Sequence, residues 1–456
     1  MAGIGFDLRR LVTDDSGLLS RLRAYASAAM ITAGPWIATM ASLAAIHLAR
    51  QVVGSDVAET FLAVASYVFA GSLVTVGALQ MTVTRWLADK LFLGQYDRVA
   101  AGFGICLLMV AAVQSLTGAI AAGLLGMDAD LAAAAVLAYV AVSMSWFGMI
   151  WLSVVRMYDR ILAAFLLGML AFWTLVLALR EPDAAALVSA FGIGYGLTVA
   201  LMVGIVLRGV TAPAAPALEV LTSVVRYRSL AVLGAVCALA LWSDKLVFWW
   251  LEGESPAPGL RNHPLYDGCF FLGYLTAIPA LAINLVHLET GFYEHYRRYY
   301  DAITGDRPLT EIRNRRAEMV RVLRNGLVHL LRYQAFVTLA CIVFASPIVS
   351  ALDMPPFAAR VLRFACLGAA FHALLLVAIL LLLYFDLRRE ALTTAVVFLV
   401  ANVTFALLSV SQGPATYGLG PALAGLIALT HAVVVLRRSL EDLEFLTFMR
   451  QPAVRG

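Results

Sequence analysis

Residues 208–229 read RGVTAPAAPALEVLTSVVRYRS and interrupt a chain that is otherwise apolar over long stretches. Pro213 and Pro216, set among alanines, favour neither helix nor sheet, so an extended linker is predicted here. On each side of it, runs of about 20 apolar residues recur, enough to cross a hydrocarbon core of roughly 30 Å. Upstream they fall at 24–49, 61–84, 99–125, 131–155, 161–179 and 184–207; downstream they fall at 230–251, 267–288, 327–350, 359–384, 391–410 and 416–436. An even number of crossings returns the chain to the side where it began, so both halves insert in the same direction. Halves oriented alike are related by an axis along the membrane normal and meet around a central cavity. The expected fold is an all-α polytopic membrane protein of about twelve transmembrane helices in two six-helix halves. Its parts are a segment 1–23, a bundle 24–207, the linker 208–229, a bundle 230–436 carrying a long loop 289–326, and a tail 437–456.

Composition and charge agree with this division. Hydrophobic residues make up 62% of the 456 and charged residues 14%, with a mean hydropathy of +0.86. A soluble domain carries nearer 25% charged residues. With the N-terminus inside, 26 of the 33 lysines and arginines fall in cytoplasmic segments. Only Arg50, Arg180, Arg261, Arg360 and Arg363 fall outside, while Lys245 and Arg332 lie within spans. So lopsided a distribution predicts that both termini are cytoplasmic. The net charge of +4 then reflects an arginine-rich inner face meeting anionic lipid, not a nucleic-acid surface. The first apolar run follows a polar, charged segment and lacks a cleavage pattern, so it is not read as a signal peptide.

Chemistry other than transport finds little support. Cys106, Cys237, Cys269, Cys341 and Cys366 all fall in predicted spans, as small buried apolar residues do. The chain has no CxxC, HExxH or phosphate-loop lysine motif, so no metal, cofactor or catalytic residue is assigned. Outer connections are short, the longest being 252–266. They offer no carboxylate or histidine constellation beyond Asp56 and Glu59.

The residues that bear on transport are charges and breaks within spans. Residues 240–250 read ALWSDKLVFWW, and Lys245 is one of only two lysines, the other being Lys90. An ionised group at the bilayer centre costs about 2.5–3.5 kcal/mol, so it normally faces a cavity or a partner. Adjacent residues point about 100° apart around a helix, so Asp244 and Lys245 are each expected to have separate surroundings. Lys245 can extend its stem toward the headgroups. Asp244 is too short to do so and is expected to line or gate the path, with Arg360 and Arg363 as counter-ions. In ITAGPWIATM, residues 31–40, Gly34 and Pro35 predict a kink that could serve as a gate hinge. Arg85, in GALQMTVTRWLADK at residues 77–90, reads as an inner-face anchor or a pore-mouth residue. Gln114, Asn284, His287 and Asn402 read as polar contacts between helices.

The loop 289–326 holds eight arginines and five aromatic residues. Two helical stretches are expected, near 290–303 and 309–324, divided at TGDRP. In the second, Ile312, Met319, Val320 and Leu323 form an apolar stripe apart from Arg313, Arg316, Arg321 and Arg324. Such segments lie flat on an anionic leaflet, with tyrosine rings at headgroup depth. Alternatively, Tyr293, Tyr296, Arg297, Arg298, Tyr299, Arg313 and Arg316 dock a cytoplasmic partner.

Three stretches carry a family resemblance: MAGIGFDLRRLV at 1–12, AYASAAMITAGPWI at 24–37 and HLETGFYEHYRRYYDAITG at 287–305. Over essentially its whole length the chain resembles the PelG family, inner-membrane exporters of the Pel biofilm polysaccharide. That family is similar to the multidrug/oligosaccharidyl-lipid/polysaccharide (MOP) flippase superfamily. There an arginine-bearing end to span two, like TRWLADK here, and an acid-plus-cation pair in span seven, like Ser243-Asp244-Lys245, recur. The resemblance implies export of an N-acetylgalactosamine-rich polymer from cytoplasm to periplasm across the bacterial inner membrane, supporting a biofilm matrix. It also implies partners: the cytoplasmic Pel glycosyltransferase, which holds the catalysis, and the inner-membrane cyclic di-GMP receptor with its associated membrane proteins. Two alternatives stay open on the residues. A flippase for a lipid-linked oligosaccharide would need a cationic cavity, for which Lys245, Arg332 and Arg85 are the candidates. An ion-coupled drug antiporter would use Asp244 as its coupling carboxylate.

Overall fold

Eleven of the twelve apolar runs fold as helices long and apolar enough to cross a membrane. The computed structural model describes residues 33–46, 49, 53–154, 157–208, 217–287 and 291–450. The first run is described over the shorter apolar helix α1 (Ala33–Ile46). Described residues as far as Pro264 form one compact unit, and those from Leu265 onward a second. Packing thus groups the helix that follows the linker with the first unit, whereas the linker-based division assigned it to the second half.

In the first unit α1 is followed by α2 (Ser55–Phe92), α3 (Tyr96–Leu124), α4 (Ala129–Val154), α5 (Tyr158–Ala178) and α6 (Ala184–Arg208). The core between them is aromatic. Phe61, Phe69, Phe172, Phe191 and Tyr195 are all buried, and Phe191 meets Tyr195 edge-on at 4.9 Å. Residues 217–226 depart from the extended linker expected. Beyond the prolines, Ala217, Val220 and Ser223 recur at helical spacing, and all three are buried. Their burial supports a short amphipathic helix, α7 (Glu219–Arg226).

Next comes α8 (Arg228–Glu252), which crosses α2 where two glycines meet. A Cβ on Gly234 would lie 2.0 Å from the Gly77 carbonyl oxygen, so only glycine permits this approach. The loop after α8 closes as a hairpin of β1 (Glu254–Ala257) and β2 (Leu260–Asn262). At its tip Gly259 has φ 77°, and a Cβ there would lie 1.4 Å from the Leu125 carbonyl oxygen. Position 259 therefore demands glycine on both counts.

The second unit opens with α9 (Pro264–Leu275) and α10 (Ile278–His287), one apolar run broken where Pro279 removes an amide donor. The loop helix α11 (Tyr293–Thr304) leads into α12 (Leu309–Val343), whose course corrects the reading of this region. The loop's second stretch is not a separate helix. It runs straight on into the ninth span as one helix of 35 residues, roughly 52 Å long at 1.5 Å per residue. No proline follows Pro308 until Pro347. The buried stripe Ile312, Met319, Leu323, Leu330, Gln334 and Thr338 keeps the helical period through Gly326. After Val343 the chain turns into α13 (Ala345–Ala351), then forms α14 (Ala358–Tyr384), α15 (Arg388–Gln412), α16 (Leu419–Glu441) and the tail helix α17 (Leu443–Arg450).

Candidate translocation site and cytoplasmic docking surface

Asp244 and Lys245 face a common interior, contrary to the separate surroundings expected of helix neighbours. Asp244 is 1% exposed and Lys245 8%. The ammonium lies 3.3 Å from the Asp244 carboxylate, donates to the Leu241 carbonyl at 3.3 Å and sits 5.9 Å over the Trp242 ring. Four flexible methylenes let the lysine curl back across the 100° that separates the two positions, so its stem does not run to the headgroups. Two charges that would each be costly alone are thereby held as a neutral pair. Tyr67 stacks on Trp249 at 4.9 Å and Trp242 tilts against Trp249 at 6.0 Å, so aromatic rings pack against one another along this stretch of α8.

Arg360 and Arg363, expected as counter-ions for Asp244, belong to the second unit. Arg363 donates to the Ser346 hydroxyl at 3.0 Å and to the Ile342 carbonyl at 3.3 Å. It thus caps the C-terminal end of α12, where a cation is favoured. Arg360 is exposed in the first turn of α14. Gly34 and Pro35 are buried at the start of α1, and a Cβ on Gly34 would approach Leu162 Cδ1 to 2.9 Å. Pro35 stands in the first described turn. The preceding residues, on which a kink depends, lie outside the described residues.

Arg85 takes part in a polar clasp that sequence reasoning missed. Its guanidinium pairs with Asp89 at 3.2 Å, and Asp89 accepts from the Tyr227 hydroxyl at 2.6 Å. One turn along, Glu219 of α7 takes Lys90 at 2.5 Å and Arg98 at 2.9 Å. Hydrogen bonds from Lys90 and Arg98 hold the Glu219 carboxyl below its ordinary range, and burial raises the Tyr227 hydroxyl. The clasp borders a cavity of about 290 Å³ lined by Trp86, Asp89, Lys90, Glu219 and Tyr227. The available signal was the i, i+3 spacing of Ala217, Val220 and Ser223, hidden by the neighbouring prolines.

The loop residues divide into two groups. Tyr296 donates to the Tyr384 carbonyl at 3.1 Å, and its ring joins Phe292, Tyr384 and Phe385. Tyr299 is fully buried, and burial pushes its hydroxyl up to about 12. These rings form a packed interior, not a belt at headgroup depth. Arg316 is held by the tail helix, pairing with Glu444 at 2.5 Å and donating to the Glu441 carbonyl at 2.8 Å. Tyr299 and Arg316 are therefore both engaged within the fold. Tyr293 is half-buried, Arg297 and Arg313 are exposed, and Arg298 is exposed but pairs with Glu294. Among the described residues, no three His, Cys, Asp or Glu gather as a metal site would require.

Taken with solved structures, the helix arrangement is that of MOP superfamily transporters. An outward-facing multidrug resistance MATE family transporter matches with TM-score 0.62 at 15% identity, covering 91% of this chain and 96% of that one. A MOP superfamily transporter from Pyrococcus furiosus with a binding pocket of reversed polarity matches with TM-score 0.62 at 14% identity and the same coverage. A MATE transporter in complex with MaL6 matches with TM-score 0.64 at 14% identity, again over 91% and 96%. At such identities the likeness is one of fold. No curated protein matches the chain in sequence. The family is set by its own model: residues 1–448 match PelG, described as "Putative exopolysaccharide Exporter (EPS-E)". The chain belongs to the PelG family, and it is a multi-pass membrane protein with a transporter fold.

Proposed function

We propose that this chain exports a Pel-type, N-acetylgalactosamine-rich exopolysaccharide from cytoplasm to periplasm across the bacterial inner membrane, as its synthase makes it, for a biofilm matrix. The observation that carries the reading is the exporter-family match over residues 1–448. Asp244 and Lys245 shape or gate the route, with Gly34 and Pro35 as a hinge and Arg85, Arg360 and Arg363 near its mouths. A fully acetylated amino-sugar polymer is neutral. A lining in which buried charge cancels, as Asp244 and Lys245 do at 3.3 Å, suits such a cargo better than a pyrophosphate-linked one. Both termini are cytoplasmic. The cytoplasmic face around α11 and the start of α12 recruits the glycosyltransferase, and the membrane-bound cyclic di-GMP receptor completes the assembly.

The test is a deletion strain rescued with the wild-type gene, Asp244→Asn, Lys245→Ala or charge-reversed loop variants, with secreted polymer and glycosyltransferase recruitment measured separately. Loss of polymer in the deletion strain and rescue by the wild type are expected. Asp244→Asn is expected to lower secretion without lowering recruitment, and loop variants to lower both. A deletion strain that still secretes polymer refutes export by this chain.

A further inference from the structure

One face of α12 is exposed at Arg313, Ala317, Arg321, Arg324, Val328 and Arg332, spaced four, four, three, four and four residues apart. Such spacing keeps all six on one side of the helix. The other arginines of this helix are occupied within the fold. Arg315 lies between Glu311 at 3.6 Å and Glu318 at 3.7 Å, and Arg316 is paired with Glu444. The helix's own two acids are thus committed to Arg315. Arg313, Arg321, Arg324 and Arg332 make no ion pair among the described residues.

The length of this row decides between lipid and protein as its counterpart. From Arg313 to Arg332 the helix rises roughly 28 Å. The headgroup layer on one side of a bilayer is only roughly 5–8 Å deep. Anionic lipid that satisfies Arg332 leaves Arg313 and Arg321 standing in the cytoplasm. Lipid at Arg324 also reaches Arg321, roughly 4.5 Å along the axis, but leaves Arg313 roughly 12 Å farther out. Arg313 and Arg321 have no acid of their own helix to turn to.

We infer that the Arg313–Arg321–Arg324 face of α12 is a docking rail for an acidic helix of a cytoplasmic protein partner, whose carboxylates recur every three or four residues. Guanidinium forks engage carboxylates bidentately, so a helix with matching spacing is held in register as well as attracted. The inference deepens the recruitment part of the function proposed above and rests on it.

The experiment uses the full-length protein in nanodiscs of phosphatidylcholine alone. The probe is a fluorescent helical peptide with glutamates at three- and four-residue spacing on one face, and the readout is anisotropy. Arg313→Glu/Arg321→Glu is expected to weaken binding by roughly tenfold or more, since it turns attraction into repulsion. The control Arg389→Glu/Arg438→Glu, exposed and outside the α11–α12 face, is expected to change it by less than about twofold. Thermal melts confirm that each variant is folded. Adding phosphatidylglycerol to the discs is expected to leave the affinity within about twofold, because lipid reaches only the inner rungs. Equal weakening by rail and control variants, no binding to the wild type, or displacement by phosphatidylglycerol overturns the rail. Polymer secretion by the deletion strain reports on export separately. Continued secretion refutes export and leaves the titration standing, whereas a titration blind to the rail refutes docking and leaves export intact.

Discussion

Lys245 in α8 and Arg321 in α12 carry the same charge, yet Lys245 is 8% exposed against its neighbour's carboxylate, and Arg321 stands in the open without one. The difference follows from solvation. A charge shut away from water must bring its own counter-ion, because an uncompensated one costs several kcal/mol. A charge that keeps its water can wait for a counter-ion from outside. Buried cations therefore report on what is packed inside the fold, and exposed ones on what comes to the surface.

The sharpest way to break this contrast is to remove one partner of the buried pair. Asp244→Ala removes the carboxylate 3.3 Å from the buried Lys245 ammonium, and an expected loss of about 3–5 kcal/mol is read by thermal unfolding in detergent. Asp244→Leu/Lys245→Met is expected to recover most of that loss, and a double variant as unstable as the single would deny the coupling. Next in size is the α2–α8 crossing. Gly234→Leu must displace the Gly77 carbonyl from 2.0 Å, costing about 1–3 kcal/mol or more by overpacking, seen as a lower melting temperature or lost expression.

The clasp is intermediate in exposure and smaller in effect. Glu219→Gln is expected to cost roughly 0.2–1 kcal/mol at neutral pH, as half-exposed ion pairs do. Because the folded carboxyl titrates below its ordinary value of 4.5, this contribution is present above that value and is lost as pH falls through the lower, folded one. Melting curves of wild type and variant should therefore converge in acid. Smallest is the rail itself. Arg313→Glu/Arg321→Glu is expected to shift stability by no more than about 0.5 kcal/mol, since neither side chain has a partner to lose.

Most of the fold was legible because the bilayer imposes length. Apolar runs such as 184–207 and 359–384 had to become spans, and they fold as Ala184–Arg208 and Ala358–Tyr384. Two things were not legible. Pro213 and Pro216 implied an extended linker, and helix α7 three residues later was masked by them. Around residue 326, Asn325 and Gly326 read as a loop end, but an apolar stripe on the correct period outweighs the propensity cost of about 1 kcal/mol for one glycine. At the site, the importance of the Asp244 and Lys245 segment could be read from charge in an apolar run. Their mutual pairing could not, because side-chain reach, not backbone angle, decides it. Tyr299 and Arg316 drew attention as an aromatic and a cation in a basic loop, and pattern alone does not tell a buried ring from an exposed one.

The unbroken course of α12 makes it a shaft with a charged, polar end and an apolar end. A helix held by continuous backbone hydrogen bonds has no joint in which to lose a displacement. Swinging it by ten degrees about a pivot near Gly326 carries each end by roughly 4–5 Å, taking 1.5 Å of length per residue. Whatever leans on the outer end of such a lever is felt at Val343, with no second messenger in between.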